Sequence, residues 1–151
     1  MTDFRIMLRE DFILRNPLLT ASGTYGYGDE IADLIDPELY GGIVTKSISL
    51  EPRVGNPPPR IAEVTSGMLN SIGLANIGVD KFLEEKEEFL AAYNGKVIVN
   101  IAGRKDDEYV QVVKKLSDRQ WVAAFEINVS CPNVSEGGIE FGRDPLILGQ
   151  L

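Results

Sequence analysis

The sequence contains no histidine and only one cysteine among its 151 residues. Without an imidazole, Ser-His-Asp triads, HExxH zinc sites and histidine acid–base chemistry are all excluded. A single thiol excludes an internal disulfide and any all-cysteine metal site. Basic residues are also scarce: 15 stand against 23 acidic ones, for a net charge of −8. So acidic a chain carries no electrostatic footprint for nucleic acid or for an anionic membrane surface. No apolar run approaches the roughly 18 residues of a bilayer span. The start, Met1-Thr2-Asp3-Phe4-Arg5, lacks the charged-then-apolar layout of a signal peptide, so a cytoplasmic location is expected. Low-complexity tracts and tandem repeats are missing too. The remaining composition, 44% hydrophobic and 25% charged, is ordinary for a globular protein. The length predicts one domain, 1–151, with no internal boundary.

Along the chain, strand-like and helix-like patterns alternate. Asp3–Leu8 and Asp11–Leu14 alternate apolar and polar residues around Arg9-Glu10 and predict a hairpin. An apolar run, Pro17 to Gly23, leads into a Tyr25-Gly26-Tyr27-Gly28 loop, after which Asp29 is placed to cap a short helix to about Ile35. Gly42–Ile48 shows little alternation and predicts a strand buried on both faces. Leu50–Ile77, rich in proline, glycine and asparagine, predicts a long irregular stretch of the kind that is usually functional or disordered. Helices are predicted over Asp80–Tyr93 and Asp106–Leu116, with strands over Lys96–Gly103 and Ala123–Cys131. Asp144-Pro145 opens a further helix. Four repeats of strand and helix after a hairpin predict an α/β protein with a parallel sheet. Both a doubly wound sheet and part of a (β/α)8 barrel fit, and the absence of a GxGxxG turn weakens the former.

The polar residues collect at the C-terminal ends of the predicted strands: Thr20 and Ser22, Lys46 and Ser47, Asn100, then Asn128 and Cys131. Cys131 is either a small buried hydrophobe or a thiolate nucleophile or base, and its Asn128 and Asn133 neighbours favour the second. Lys46, inside an apolar strand, either snorkels to water or faces the negative charge of a ligand. Asparagines 70, 100, 128 and 133 suit a planar ligand with imide and carboxylate edges. Any one of them alone is more simply a turn former, but turn chemistry does not explain Asn100 and Asn128 late in apolar strands. Gly73, within Met68–Leu74, and Ala21-Ser22-Gly23 both allow a ligand to approach the backbone closely.

These motifs together resemble class 1 dihydroorotate dehydrogenases. The residues that carry the resemblance are Asn16-Pro17 through Ala21-Ser22-Gly23, Lys46-Ser47, Pro52 through Arg60, Asn70-Ser71-Ile72-Gly73-Leu74, and Asn128-Val129-Ser130-Cys131-Pro132-Asn133. Gly26-Tyr27-Gly28 and Ser66–Asn70 look most like the 1B subclass. The resemblance implies a (β/α)8 barrel holding FMN at its C-terminal mouth and oxidising dihydroorotate to orotate in pyrimidine (UMP) biosynthesis. It implies Cys131 as the catalytic base. It gives Lys46, Asn70, Ser71, Ile72, Gly73, Leu74, Asn128 and Asn133 to the substrate. Ala21, Ser22, Gly23, Lys46, Ser47, Asn100 and Asn128 fall to FMN, and no residue to a metal. It also implies a homodimer, and an electron-transfer subunit that carries FAD and a [2Fe-2S] cluster and passes electrons to NAD. A full (β/α)8 barrel runs to about 250 residues. These residues are therefore expected to form its N-terminal half, some four βα units, and not to turn over substrate alone. The alternatives are a non-catalytic half-barrel that self-associates, and another pyrimidine-acting FMN barrel resembling dihydropyrimidine dehydrogenase.

Overall fold

The computed structural model describes residues 3–130, 142, 145–149 and 151. β1 (Ile6–Arg9) and β2 (Phe12–Leu14) form the expected antiparallel hairpin, which buries Phe12 and Leu14. β3 (Gly42–Val44), β6 (Lys96–Ile101) and β7 (Val122–Ile127) form a parallel sheet in the order β3-β6-β7. Between them lie β4 (Ile61–Val64), β5 (Gly67–Asn70) and the helix α1 (Val79–Ala92); α2 (Asp106–Leu116) joins β6 to β7, and a short α3 (Pro145–Leu148) follows. The parallel crossovers β3–α1–β6 and β6–α2–β7 follow from apolar strands feeding amphipathic helices.

Period-two alternation sorts β6 cleanly. Val97, Val99 and Ile101 join the buried cluster with Phe82 and Leu90 of α1 and Tyr109, Val112 and Leu116 of α2. Ile98 and Asn100 fall on the opposite face. α2 keeps the predicted bounds. Its first turn is acidic (Asp106, Asp107, Glu108) and its last turn basic (Lys114, Lys115), which complements the helix dipole.

Three expectations are corrected. First, Pro17–Gly23 is not a continuous strand; only the parallel bridge Leu19↔Gly42 forms. The Thr20 hydroxyl replaces the ladder, accepting from Val44 N at 2.8 Å and donating to Val44 O at 3.1 Å. Second, residues 29–35 make successive turns rather than a helix. The Asp29 carboxylate accepts Lys86 Nζ at 2.9 Å instead of capping, and Glu30 Oε2 accepts the amides of Tyr27 (2.7 Å) and Gly28 (3.2 Å). The first strand segment is therefore not followed by a regular helix. Third, Leu50–Ile77 is not irregular throughout, because β4 and β5 pair as an antiparallel hairpin within it. That hairpin is held at its base by paired Arg53–Asn76 backbone hydrogen bonds of 2.9 and 3.0 Å and by Asn56 N donating to Ile72 O at 3.1 Å. No helix among the described residues is long and apolar enough to cross a membrane.

Candidate active site

A cavity of about 930 Å³ opens over the C-terminal ends of the parallel strands. Its wall brings together Ser22 and Gly23 after the first segment, Lys46 and Ser47 after β3, Asn100 at the end of β6, and Asn128 just past β7. Asn70, Ser71, Ile72, Gly73 and Leu74 reach the same cavity from the end of the β4–β5 hairpin. Five separate stretches of sequence thus converge on one space, the usual arrangement where βα units end.

The strand ends are fixed by backbone hydrogen bonds. Thr45 N donates to Ile98 O at 3.0 Å, Ile48 N to Asn100 O at 3.0 Å, and Asn128 N to Ile101 O at 2.8 Å. Lys46 N donates to Gly26 O at 2.8 Å, which anchors the glycine loop beside the site. The Lys46 ammonium has no carboxylate within ion-pair distance among the described residues, so its charge is available to a ligand in the cavity. Ser47 is buried and accepts Asn128 Nδ2 at 3.1 Å. Asn100, 4% exposed, donates from Nδ2 to Glu126, while its Oδ1 is buried with no hydrogen-bond partner among the described residues.

Glycine is required at two places on the wall. Gly23 has φ +80° and nothing within 4 Å of where a Cβ would sit, so bare backbone faces open space. Gly73 has φ +73°, and a Cβ there would lie 2.6 Å from Asn56 N. The adjoining Leu74 also has positive φ, +55°, a strained conformation that clusters at ligand sites.

Ala21 does not line the cavity; its carbonyl accepts from Thr24 N at 3.0 Å and closes the turn that carries Ser22 and Gly23. Cys131 and Asn133 lie outside the described residues. Sequence reasoning missed Thr24, Asn56, Glu126, Ile127 and Ser130, which also line the wall. Glu126 carried a readable signal, a carboxylate within an apolar strand two residues before Asn128.

A flavin places specific demands on such a wall, and the residues present fit them. A ring with imide edges needs acceptors as well as donors, and the orphaned Asn100 Oδ1 is a buried acceptor. Lys46 supplies positive charge, and the open flank of Gly23 allows close approach. The volume is at the upper end of the range for small-molecule pockets.

Polar groups gathered over the C-terminal ends of parallel strands mark an α/β protein built from βα repeats, with a candidate ligand site at the place where such folds carry one. The family model for dihydroorotate dehydrogenase matches residues 8–151, and the chain belongs to that family. It is 53% identical over 138 residues to the catalytic subunit of dihydroorotate dehydrogenase B (NAD(+)) from Pelobacter propionicus, covering 91% of this chain and 45% of that one. Its identity to the subunit of the same name from Geotalea uraniireducens is 54% over 132 residues, covering 87% and 43%. The chain thus spans a little under half the length of these relatives. The crystal structure of DHODH from Eimeria tenella in complex with ferulenol superposes with a TM-score of 0.71 at 19% identity, covering 89% of this chain and 38% of that one. That likeness places the fold in the (β/α)8-barrel family.

Proposed function

We propose that these residues form the N-terminal part of a (β/α)8 barrel, one unbroken stretch of a single domain, that oxidises dihydroorotate to orotate with FMN as its resident cofactor. The observation that carries the reading is the convergence of Ser22, Gly23, Lys46, Ser47, Asn70–Leu74, Asn100 and Asn128 on one cavity. Ser22, Gly23, Ser47 and Asn100 hold the flavin, with Ala21 shaping the turn beside it. Lys46 and Asn128 reach both flavin and substrate. Asn70 through Leu74, together with Asn133, hold the edges of the pyrimidine ring. FMN, when bound, supplies hydride acceptance from C6 of the substrate. Cys131 takes the proton from C5, so that the ring gains its C5–C6 double bond. A thiolate suits this role in a sequence without histidine, because a base with a pKa near the operating pH transfers protons best. The β4–β5 hairpin and the chain around it cover the site and exclude water.

The relatives are named catalytic subunits of an NAD(+)-type enzyme, which supports a separate electron-transfer subunit and NAD as the final acceptor. FAD and a [2Fe-2S] cluster belong on that subunit, since the one cysteine of these 151 residues cannot ligate such a cluster. A homodimer of the catalytic chain and a cytoplasmic location complete the reading.

The test is anaerobic mixing of the FMN-loaded protein with dihydroorotate. Bleaching of the flavin absorbance in the wild type, and its loss in Cys131→Ala with FMN still bound, is the expected result. Bleaching by dihydrouracil in preference to dihydroorotate would instead place the protein among dihydropyrimidine-oxidising barrels.

A further inference from the structure

Glu126 is the one acidic side chain on the described wall of the cavity, and the family reading gives it no task. It stands directly opposite Asn100 in the parallel β6–β7 ladder, so both side chains rise from the same face of the sheet. Its carboxylate accepts from Asn100 Nδ2. It is exposed to solvent and makes no ion pair among the described residues, so Asn100 is the one described side chain it is seen to hold.

A carboxylate is an acceptor only, whereas a primary amide is a donor at one end and an acceptor at the other. Glu126 therefore dictates which end of the Asn100 amide faces it. The Asn100 backbone is fixed in the sheet: its N–H donates to Thr45 Oγ1 at 3.1 Å and its carbonyl accepts from Ile48 N at 3.0 Å. With Nδ2 held across the ladder, Oδ1 is the end left over, and it is the buried atom without a partner. Buried acceptors are nearly always satisfied, so this one is completed by a donor from outside the described residues.

We propose that Glu126 is a positioning residue: it orients the Asn100 amide so that Oδ1 accepts a hydrogen bond from a ring N–H of the ligand in the cavity. This rests on the flavin reading for the identity of that ligand. The orientation itself is a property of the protein alone.

The test is a double-mutant cycle on FMN affinity, read by flavin fluorescence, paired with NMR of the Asn100 side-chain amide in flavin-free protein. Glu126→Gln keeps the size of the side chain but presents both a donor and an acceptor, so it no longer dictates the direction of the amide. In the wild-type background, E126Q is expected to weaken FMN binding about tenfold, the scale of one misdirected hydrogen bond. In an Asn100→Ala background it is expected to change affinity little, because the group it orients is gone. Equal losses in both backgrounds, as a merely structural role would produce, overturn the proposal. So does the absence of loss in the wild-type background. In flavin-free protein, E126Q is expected to shift the Asn100 amide proton resonances, and unmoved resonances overturn the positioning whatever the flavin does. If the wild type takes up no FMN while those resonances shift, the flavin reading is what fails.

Discussion

Asn128 Nδ2 donates to Ser47 Oγ at 3.1 Å across 81 positions of sequence. The bond spans the end of β6 and ties the tips of β3 and β7 together over the floor of the cavity. Every other polar group of Asn128 is also engaged: its N–H with Ile101 O, its carbonyl with the Tyr109 hydroxyl at 2.8 Å, and its Oδ1 with Ser130 N at 3.1 Å. Ser47→Ala leaves the amide without this acceptor. It is expected to cost about 1 kcal/mol of stability, in line with a single lost hydrogen bond, and to weaken FMN binding as well. Chemical denaturation and flavin titration of the one variant measure both. Unchanged values in the two assays would remove the Ser47–Asn128 bond from the site.

Lys46 offers a sharper test of the electrostatics. It lines the cavity, and its ammonium is not neutralised by any described carboxylate. Lys46→Ala is therefore expected to lower affinity for flavin or for dihydroorotate by about tenfold or more, the scale of a hydrogen bond to a charged group. Lys46→Arg is expected to rescue little, because a planar fork does not reproduce a compact point charge. Titration of each ligand separately decides which one Lys46 holds. Full affinity for both in Lys46→Ala would place the lysine outside the site.

The cavity-lining loop at the end of the β4–β5 hairpin depends on Gly73. Its positive φ and the 2.6 Å approach of Asn56 N to a Cβ there leave no room for a side chain. Gly73→Ala is expected to destabilise the protein by about 1–3 kcal/mol through local strain and to weaken dihydroorotate binding. Gly67, at the start of β5, provides the control. A Cβ there would meet only Val64 Cγ2, at an ordinary 3.8 Å, so Gly67→Ala is expected to be neutral within about 0.5 kcal/mol. Equal melting temperatures for the two variants would contradict the steric argument.

Much of this arrangement is legible in the sequence wherever burial imposes a period. The bounds of α2 follow from Tyr109, Val112, Val113 and Leu116 on one face and from the charges at its two ends. Lys46, Asn100 and Asn128 stand out because a polar residue late in an apolar strand needs a reason. The β4–β5 hairpin is illegible for the opposite cause: every residue of both strands is exposed, so no face carries an apolar stripe. The expected helix at 29–35 fails because the carboxylate that would cap it is taken by Lys86, 57 residues away. Glu126 stands out within Ala123–Cys131, but its purpose is not legible there, because only its ladder partner, Asn100, supplies it. Long-range pairing is what a single sequence does not display.

The clamp between Asp29 and Lys86 makes the last prediction, one of pH dependence. Lys86 Nζ reaches both Asp29 oxygens at 2.9 Å and Glu30 Oε1 at 3.5 Å, fastening the glycine loop to α1. Burial pushes the Asp29 carboxyl up, but the hydrogen bonds and the positive charge of Lys86 outweigh it and hold the group below its ordinary value. Burial likewise pushes the Lys86 ammonium down, and its bonds and charge contacts with Asp29 and Glu30 outweigh that and raise it. A carboxyl lowered by folding stabilises above its unfolded pKa of about 3.9 and loses that contribution as pH falls through the lower folded value. A raised ammonium stabilises below about 10.4 and loses its contribution as pH rises through the higher folded value. The clamp is therefore at full strength between about pH 4 and pH 10 and fades outside that window. Lys86→Met is expected to lower the melting temperature at neutral pH and to flatten its fall on acidification. Parallel acid-side profiles for Lys86→Met and the wild type would show that the clamp contributes nothing to the pH dependence.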